Sequence, residues 1–171
     1  MAKEIVANAI ARLSRFEIED LERVRDAMLS AIRPEMRFLD SETEGADEES
    51  LEELAEERLF LAEAEELAGK LLLVGLYRVV ELLTKQALRH RYGKHTVKSC
   101  YKIDCLKALF RSDLKVDLTK VAGFKEIDEI RHLNNDVKHG GELPEPALKS
   151  FERLASAVEP YLYGIMMVVH P

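Results

Sequence analysis

Apolar residues recur at intervals of three and four along most of this chain, which is the period of an amphipathic α-helix. Residues 2 to 15 predict a first helix, and a second helix follows until Pro34 interrupts or kinks it. The core positions of the second helix are Ile18, Leu21, Val24, Met28 and Ile32. The acidic stretch DSETEGADEES has almost nothing apolar to bury, so it predicts an exposed and mobile linker.

Further helices follow the linker. Ser50 and Glu53 have the spacing of a capping box, which predicts a long helix from Leu51 to about His90 that could bend at Gly69 or Gly75. Shorter helices are predicted over residues 97–111, 121–138 and 147–169, the last of them kinked at Pro160. The pattern therefore predicts an all-α antiparallel bundle of four or more helices over residues 50–171, with N-terminal helices and an acidic linker over residues 1–49.

Composition supports a helical protein without a cofactor. The 171 residues are 47% hydrophobic, which is enough for one core, and they contain no Trp. The start, MAKEIVANAIARLSRF, lacks the apolar centre of a secretory signal, and Lys70, Arg78 and Glu81 interrupt the most apolar stretch, so a cytoplasmic protein without a membrane span is expected. Cys100 and Cys105 would lie about 140° apart on one helix, so neither a metal clip nor a redox pair is expected.

Charge is distributed very unevenly along the chain. The net charge is -7, yet residues 40–66 hold thirteen acidic residues against one Arg, whereas residues 85–115 hold nine Lys or Arg against two Asp. A local basic surface attracts a polyanion, and Tyr92 and Tyr101 within it have rings that stack on unpaired bases. The alternative is that these cations only coat two solvated helices. The RNA-binding residues predicted here are Arg89, Arg91, Lys94, His95, Lys98 and Lys102.

The stretch RHLNNDVKHGG, residues 131 to 141, ends the penultimate predicted helix. At 100° per residue, Arg131, Asn135 and His139 fall within about 80° of each other, with Lys138 beside them. The apolar positions take a different face, at Ile127, Ile130, Leu133 and Val137. A plain helix end is the alternative, because Lys138 and His139 suit the helix dipole and Gly140 suits a left-handed C-terminal position.

These side chains fit attack on an RNA phosphodiester without a metal. A neutral His139 can take or give a proton near neutral pH, Arg131 can hold the non-bridging oxygens, and Asn135 can orient either group. Lys138 adds a positive charge next to the phosphate. A ribose 2′-hydroxyl attacking the phosphate would leave a 2′,3′-cyclic phosphate.

The stretch IRHLNNDVKHGG, together with GLYRVVELLTKQAL as a long core helix, resembles the HEPN families of helical bundles, which include RNA-cleaving toxins and anti-phage ribonucleases. The resemblance covers residues 65 to 169. The family pattern is an Arg followed by a His with four to six residues between them, often with Asn directly after the Arg. Asn135 and His139 match its second half, but Asn134 occupies the Arg position, and Arg131 lies about 12 Å along the axis from His139.

Two further expectations follow from this resemblance. HEPN-like bundles commonly pair through their motif helices, so a homodimer in which Arg131 of one chain approaches His139 of the other is implied. Arg89 and His95 match the spacing of the pattern literally, but they lack the Asn and sit at the wrong end of the core helix, so they are assigned to the basic surface.

Two functions are consistent with these residues. The first is a cytoplasmic, dimeric HEPN-like protein that binds single-stranded RNA, possesses no cofactor and cleaves RNA with His139 and Arg131. A protein partner that neutralises this activity belongs to the same hypothesis. The second is a catalytically inactive bundle that serves as an interaction module. In that case the acidic residues 40–66 would hold a basic partner protein or cover the chain's own basic helices.

Overall fold

The computed structural model describes residues 2–43, 45–99 and 102–170, and these form an all-α bundle, as predicted. No strand occurs among the described residues. The helices are α1 (Ala2–Glu42), α2 (Glu48–Ser99), α3 (Ile103–Asp113), α4 (Phe124–His139), α5 (Ala147–Ala155) and α6 (Val158–Val169), with a 3₁₀ turn at Leu118–Lys120 before α4.

α1 and α2 form a long antiparallel hairpin. Leu21 of α1 lies over Gly75 of α2, where a built Cβ would come within 2.8 Å of the leucine side chain. Towards the tip of the hairpin, Arg58 binds Asp40 at 2.7 Å. α1 also packs on α6, where Arg15 and Glu159 form an ion pair at 2.7 Å. The N-terminal residues thus lie along the bundle, and the division at residue 49 stays a prediction.

Three sequence expectations about this hairpin were wrong. One continuous helix replaces the two that were predicted, and Pro34 lies inside it. The linker is shorter than expected, because α1 continues to Glu42 and α2 already begins at Glu48. The cap of α2 is Asp47, whose carboxylate accepts a hydrogen bond from the backbone N–H of Ser50 at 3.0 Å. The acidic residues near the tip are therefore mostly helical, since helices expose polar side chains without breaking their backbone hydrogen bonds.

α2 departs from helical geometry at Gly93 rather than at Gly69 or Gly75. The backbone of Gly93 has φ 74 and ψ 169, a conformation that glycine adopts at little cost. Gly69 instead allows close packing, because a Cβ there would lie 2.4 Å from the backbone nitrogen of Leu148 in α5. Gly69 and Gly75 therefore allow close contact between helices, and α2 departs from helical geometry at Gly93 instead.

α3 begins at Ile103, later than the predicted residue 97. The expectation that the cysteines do not pair assumed one helix through both positions, and it was wrong. Cys105 lies in α3 and is disulfide-bonded. Cys100 and Tyr101 lie outside the described residues.

The last predicted helix is divided into α5 and α6. The division falls at Ser156 and Ala157 and not at Pro160, which occupies the first turn of α6. Proline is tolerated there because the first backbone N–H groups of a helix have no intrahelical partner. Buried side chains of α2, α4, α5 and α6 build the core, among them Leu73, Leu76, Ile130, Phe151 and Tyr161. Among the described residues, none of the helices combines the length and apolarity needed to cross a membrane.

Candidate functional site: the exposed ridge of α4

α4 is placed by its apolar face and by glycines at both ends. Ile127, Ile130 and Leu133 are buried as predicted. Gly140 ends the helix in the left-handed conformation, at φ 70, as the sequence predicts. α4 runs antiparallel to α2, since Lys138 lies 5.7 Å over the ring of Tyr77, whereas Asp128 and Arg131 share a cavity with Glu81 and Lys85 further along α2.

A ridge of polar side chains runs along the outer edge of α4. We call it the α4 ridge, and it consists of Arg131, His132, Asn135, Lys138 and His139. All five fall within about 120° around the helix at 100° per residue. Only Arg131 is partly buried, with 24% of its side chain exposed. The ridge therefore presents two imidazoles, two cations and one amide to solvent.

Arg131 is held at its position by two neighbours. Its Nε donates to Asp128 Oδ1 at 2.9 Å, and its Nη2 lies 2.7 Å from His132 Nε2. A guanidinium only donates hydrogen bonds, so His132 Nε2 is the acceptor in this contact, and the same nitrogen lies 4.0 Å from Asp128 Oδ2. The contact holds an imidazole nitrogen next to a guanidinium, which is a group able to bind phosphate oxygens.

His132 was missed by the sequence analysis, although the signal was present. It precedes His139 by seven residues, which places both imidazoles within about 20° of each other around the helix. The side chain of His132 is 63% exposed. The HEPN pattern places four to six residues between its Arg and its His, and a histidine directly after Arg131 falls outside that spacing.

His139 and Arg131 are not brought together within one chain. His139 is exposed at the last position of α4. The two Cα atoms lie about 12 Å apart along the axis, and the guanidinium is bonded to Asp128, in the opposite direction from His139. In this conformation the guanidinium is directed away from His139, so the two groups do not form one site within the chain.

Asn134 occupies the Arg position of the HEPN pattern and lies inside the bundle. Its side chain is 1% exposed, and neither Oδ1 nor Nδ2 has a hydrogen-bond partner among the described residues. Burying an amide without partners costs on the order of 1–3 kcal/mol. This position therefore cannot contact a substrate on the surface of the chain.

A small cavity of about 50 Å³ lies behind the ridge, between α2, α3, α4 and α6. Burial and the charge of Glu81 raise the pKa of Tyr77, and burial raises the pKa of Tyr161 to about 12. Burial also acts to raise the pKa of Glu81, but the hydrogen bonds and charges of Lys85 and Arg78 outweigh it and lower that pKa. The cavity has room for a few water molecules and not for a nucleotide, so an RNA substrate would bind on the surface.

The predicted basic surface lies towards the other end of α4 from His139. Lys107 sits 5.4 Å over the ring of Phe124, the first residue of α4, about 22 Å along the axis from His139. Arg89, Arg91 and Lys102 are exposed, and Arg91 also donates to the carbonyl of Val169 at 2.8 Å. The predicted side chains outside the described part of the structure are Lys94, His95 and Lys98.

Comparisons with known proteins add no relative, since no family model, curated protein or solved structure matches this chain. In the described part of the chain, no group of three or more His, Cys, Asp or Glu side chains is placed to hold a metal ion.

Proposed function

We propose that the α4 ridge binds single-stranded RNA and cleaves it without a metal ion. The observation that carries the proposal is the contact of 2.7 Å between Arg131 Nη2 and His132 Nε2 on an accessible surface. It places a guanidinium, which can bind phosphate oxygens, beside an imidazole nitrogen, which can accept a proton, and both roles are needed at one phosphodiester. The HEPN resemblance predicts the same chemistry for this helix.

Each ridge residue has a separate role in this proposal. Arg131 exchanges its contact with His132 for the non-bridging oxygens of the phosphate. His132 Nε2 then removes the proton of the ribose 2′-hydroxyl, and the 2′-oxygen attacks phosphorus. The bond to the 5′-oxygen breaks, water protonates that oxygen, and the products are a 2′,3′-cyclic phosphate and a 5′-hydroxyl. Transition-state charge on the phosphate is offset by the guanidinium.

The other three residues extend the RNA-binding surface. Asn135, Lys138 and His139 continue the ridge for about 10 Å beyond His132, which is long enough to contact a neighbouring phosphate. Lys138 and His139 also lie at the C-terminal end of α4 beside the partial negative charge of its carbonyl groups. The composite site, in which His139 of a second chain acts on the phosphate held by Arg131, stays a prediction from the sequence.

The test uses a fluorescently labelled single-stranded RNA incubated with the purified protein in EDTA. Cleavage is expected to persist in EDTA and to fall by at least about 100-fold in His132→Ala and Arg131→Ala. Lys149→Ala, which removes an exposed cation on α5, is the matched control and should cleave normally. The all-deoxy oligonucleotide should bind without being cut, because it lacks the attacking hydroxyl.

Three other outcomes separate the alternatives. Loss of cleavage in His139→Ala with normal cleavage in His132→Ala would favour the composite site between two chains. RNA binding without any cleavage would favour the inactive interaction module. Two observations are consistent with an inactive module: Arg131 is paired with Asp128, and the buried Asn134 occupies the Arg position of the HEPN pattern. Absence of RNA binding at low salt would refute both RNA cleavage and RNA binding as functions of this chain.

A further inference from the structure

The α1–α2 hairpin exposes an apolar face that no other part of the described structure covers. On α2, Phe60, Leu67, Leu71 and Leu82 fall within an arc of about 60°, and on α1, Leu13, Val24 and Phe38 fall within about 40°. Phe60 is 67% exposed and Leu71 is 53% exposed. We call these seven residues the hairpin face.

Both arcs lie on the same side of the hairpin. The α2 arc is about 170° from Gly69, which contacts α5. The α1 arc is about 160° from Arg15, which contacts Glu159 of α6. The hairpin face therefore points away from α5 and α6, and exposed charged side chains such as Arg78 and Asp20 lie within its two arcs.

The size of the hairpin face is typical of an interaction surface. Its seven side chains expose on the order of 600 Å² together, at the upper limit for the largest apolar patch of a monomeric protein. A stable interface of standard size buries about 800 Å² on each partner. The hairpin face and its charged margins are sufficient for such an interface.

Along this arc, the order of charged and apolar residues in α2 matches that of a second α2 running in the opposite direction. Glu53, Leu71 and Arg89 are spaced 18 residues apart, which is five helical turns, so they lie at the same angle. Phe60 precedes Leu71 by 11 residues, and Leu82 follows it by 11. A two-fold axis through Leu71 would place Phe60 of one copy opposite Leu82 of the other, and Glu53 opposite Arg89.

We propose that the occupant of the hairpin face is a second copy of this chain, packed antiparallel about Leu71. In this alignment the acidic half of α2 in one chain meets the basic half in the other, with apolar side chains between them. A parallel alignment would place the two acidic halves side by side, and like charges repel. The proposal is independent of RNA cleavage, because no residue of the α4 ridge belongs to the hairpin face.

Sedimentation velocity between about 1 and 100 µM protein tests the contact directly. The wild-type chain is expected to be dimeric, and Leu71→Glu should raise the dimer dissociation constant by at least about tenfold, because two carboxylates would meet at the axis. Leu59→Glu is the matched control, since Leu59 is 62% exposed on the same helix but about 120° away. Leu59→Glu should leave the dimer intact, and circular dichroism verifies that both variants are folded.

Charge reversal tests the direction of pairing. Glu53→Lys and Arg89→Glu should each weaken the dimer, whereas the double variant should restore it, because the opposite charges meet again. In a parallel dimer the double variant would not restore association. A monomer throughout the concentration range, equal effects of Leu71→Glu and Leu59→Glu, or absence of rescue would each overturn the proposal.

Discussion

At the residue scale, one buried side chain contradicts the usual pairing of interior polar groups. Asn134 is almost fully buried, and both polar atoms of its amide lack a partner within the described structure. Its neighbour Asn135 is exposed and carries no such cost. The two adjacent asparagines, which look equivalent in the sequence, therefore differ completely in their surroundings.

Replacement of Asn134 by Leu should stabilise the protein. Leucine has the same branched skeleton without the polar atoms, so the free energy of unfolding is expected to rise by about 1–2 kcal/mol. Urea unfolding followed by circular dichroism measures the change. Asn135→Leu is the control and should change stability by less than about 0.5 kcal/mol. A loss of stability in Asn134→Leu would show that the amide has a favourable role in the fold.

At the element scale, two glycines of α2 allow two different helix contacts. A Cβ at Gly69 would lie 2.4 Å from the backbone nitrogen of Leu148 and 2.9 Å from the Cβ of Ala147. A Cβ at Gly75 would lie 2.8 Å from a terminal methyl group of Leu21, which can rotate away. The contact between α2 and α5 is therefore rigid, whereas the contact between α1 and α2 can adjust.

These contacts predict different effects of a Gly→Ala substitution on the free energy of unfolding. Gly69→Ala should lower the free energy of unfolding by about 1–3 kcal/mol, because the backbone of α5 has to move. Gly75→Ala should be nearly neutral, since the helix propensity of alanine, worth up to about 1 kcal/mol, offsets a small displacement of Leu21. Thermal unfolding of both variants provides the comparison. Equal destabilisation would contradict the difference between a backbone and a side-chain obstacle.

At the scale of the whole molecule, some carboxylates form ion pairs and others cap helices, and both kinds make the free energy of unfolding depend on pH. Arg153 donates to Glu129 of α4 at 2.6 Å and to Glu145 ahead of α5 at 2.7 Å. These hydrogen bonds lower the pKa of Glu145, and hydrogen bonds from Ser50 and Thr119 lower the pKa values of Asp47 and Asp117. A lowered pKa in the folded state means that protonation favours the unfolded chain.

Stability is therefore expected to fall in acid. The contribution of these carboxylates is complete above their unfolded pKa values of about 4 and is lost as the pH falls through the lower folded values. Urea midpoints at about pH 6 and pH 3.5 measure the loss. Arg153→Met should show a smaller difference between the two pH values than wild type, because the largest cause of the lowered pKa of Glu145 is then absent. An equal difference would exclude this ion-pair network as a cause.

Much of the secondary structure could be predicted from the sequence because it depends on local periodicity. The apolar stripe of α4, its end at Gly140 and the all-α class all follow from spacings within a few turns. The predicted effects of Pro34 and Pro160 on the helices were wrong, also for a local reason. Proline disfavours a helix interior in isolation, but packing along a long helix can override that preference, and the first turn tolerates it.

The candidate site could be predicted only in part. The sequence determined which side chains share the outer edge of α4, because helical geometry fixes their angles. Helical spacing also allows Arg131 to pair with Asp128, three residues before it, and separates it from His139, whereas only the tertiary structure decided that Asn134 is inside. Burial and side-chain direction depend on the neighbouring helices α2 and α5, which are distant in sequence, and periodicity within one helix contains no information about them.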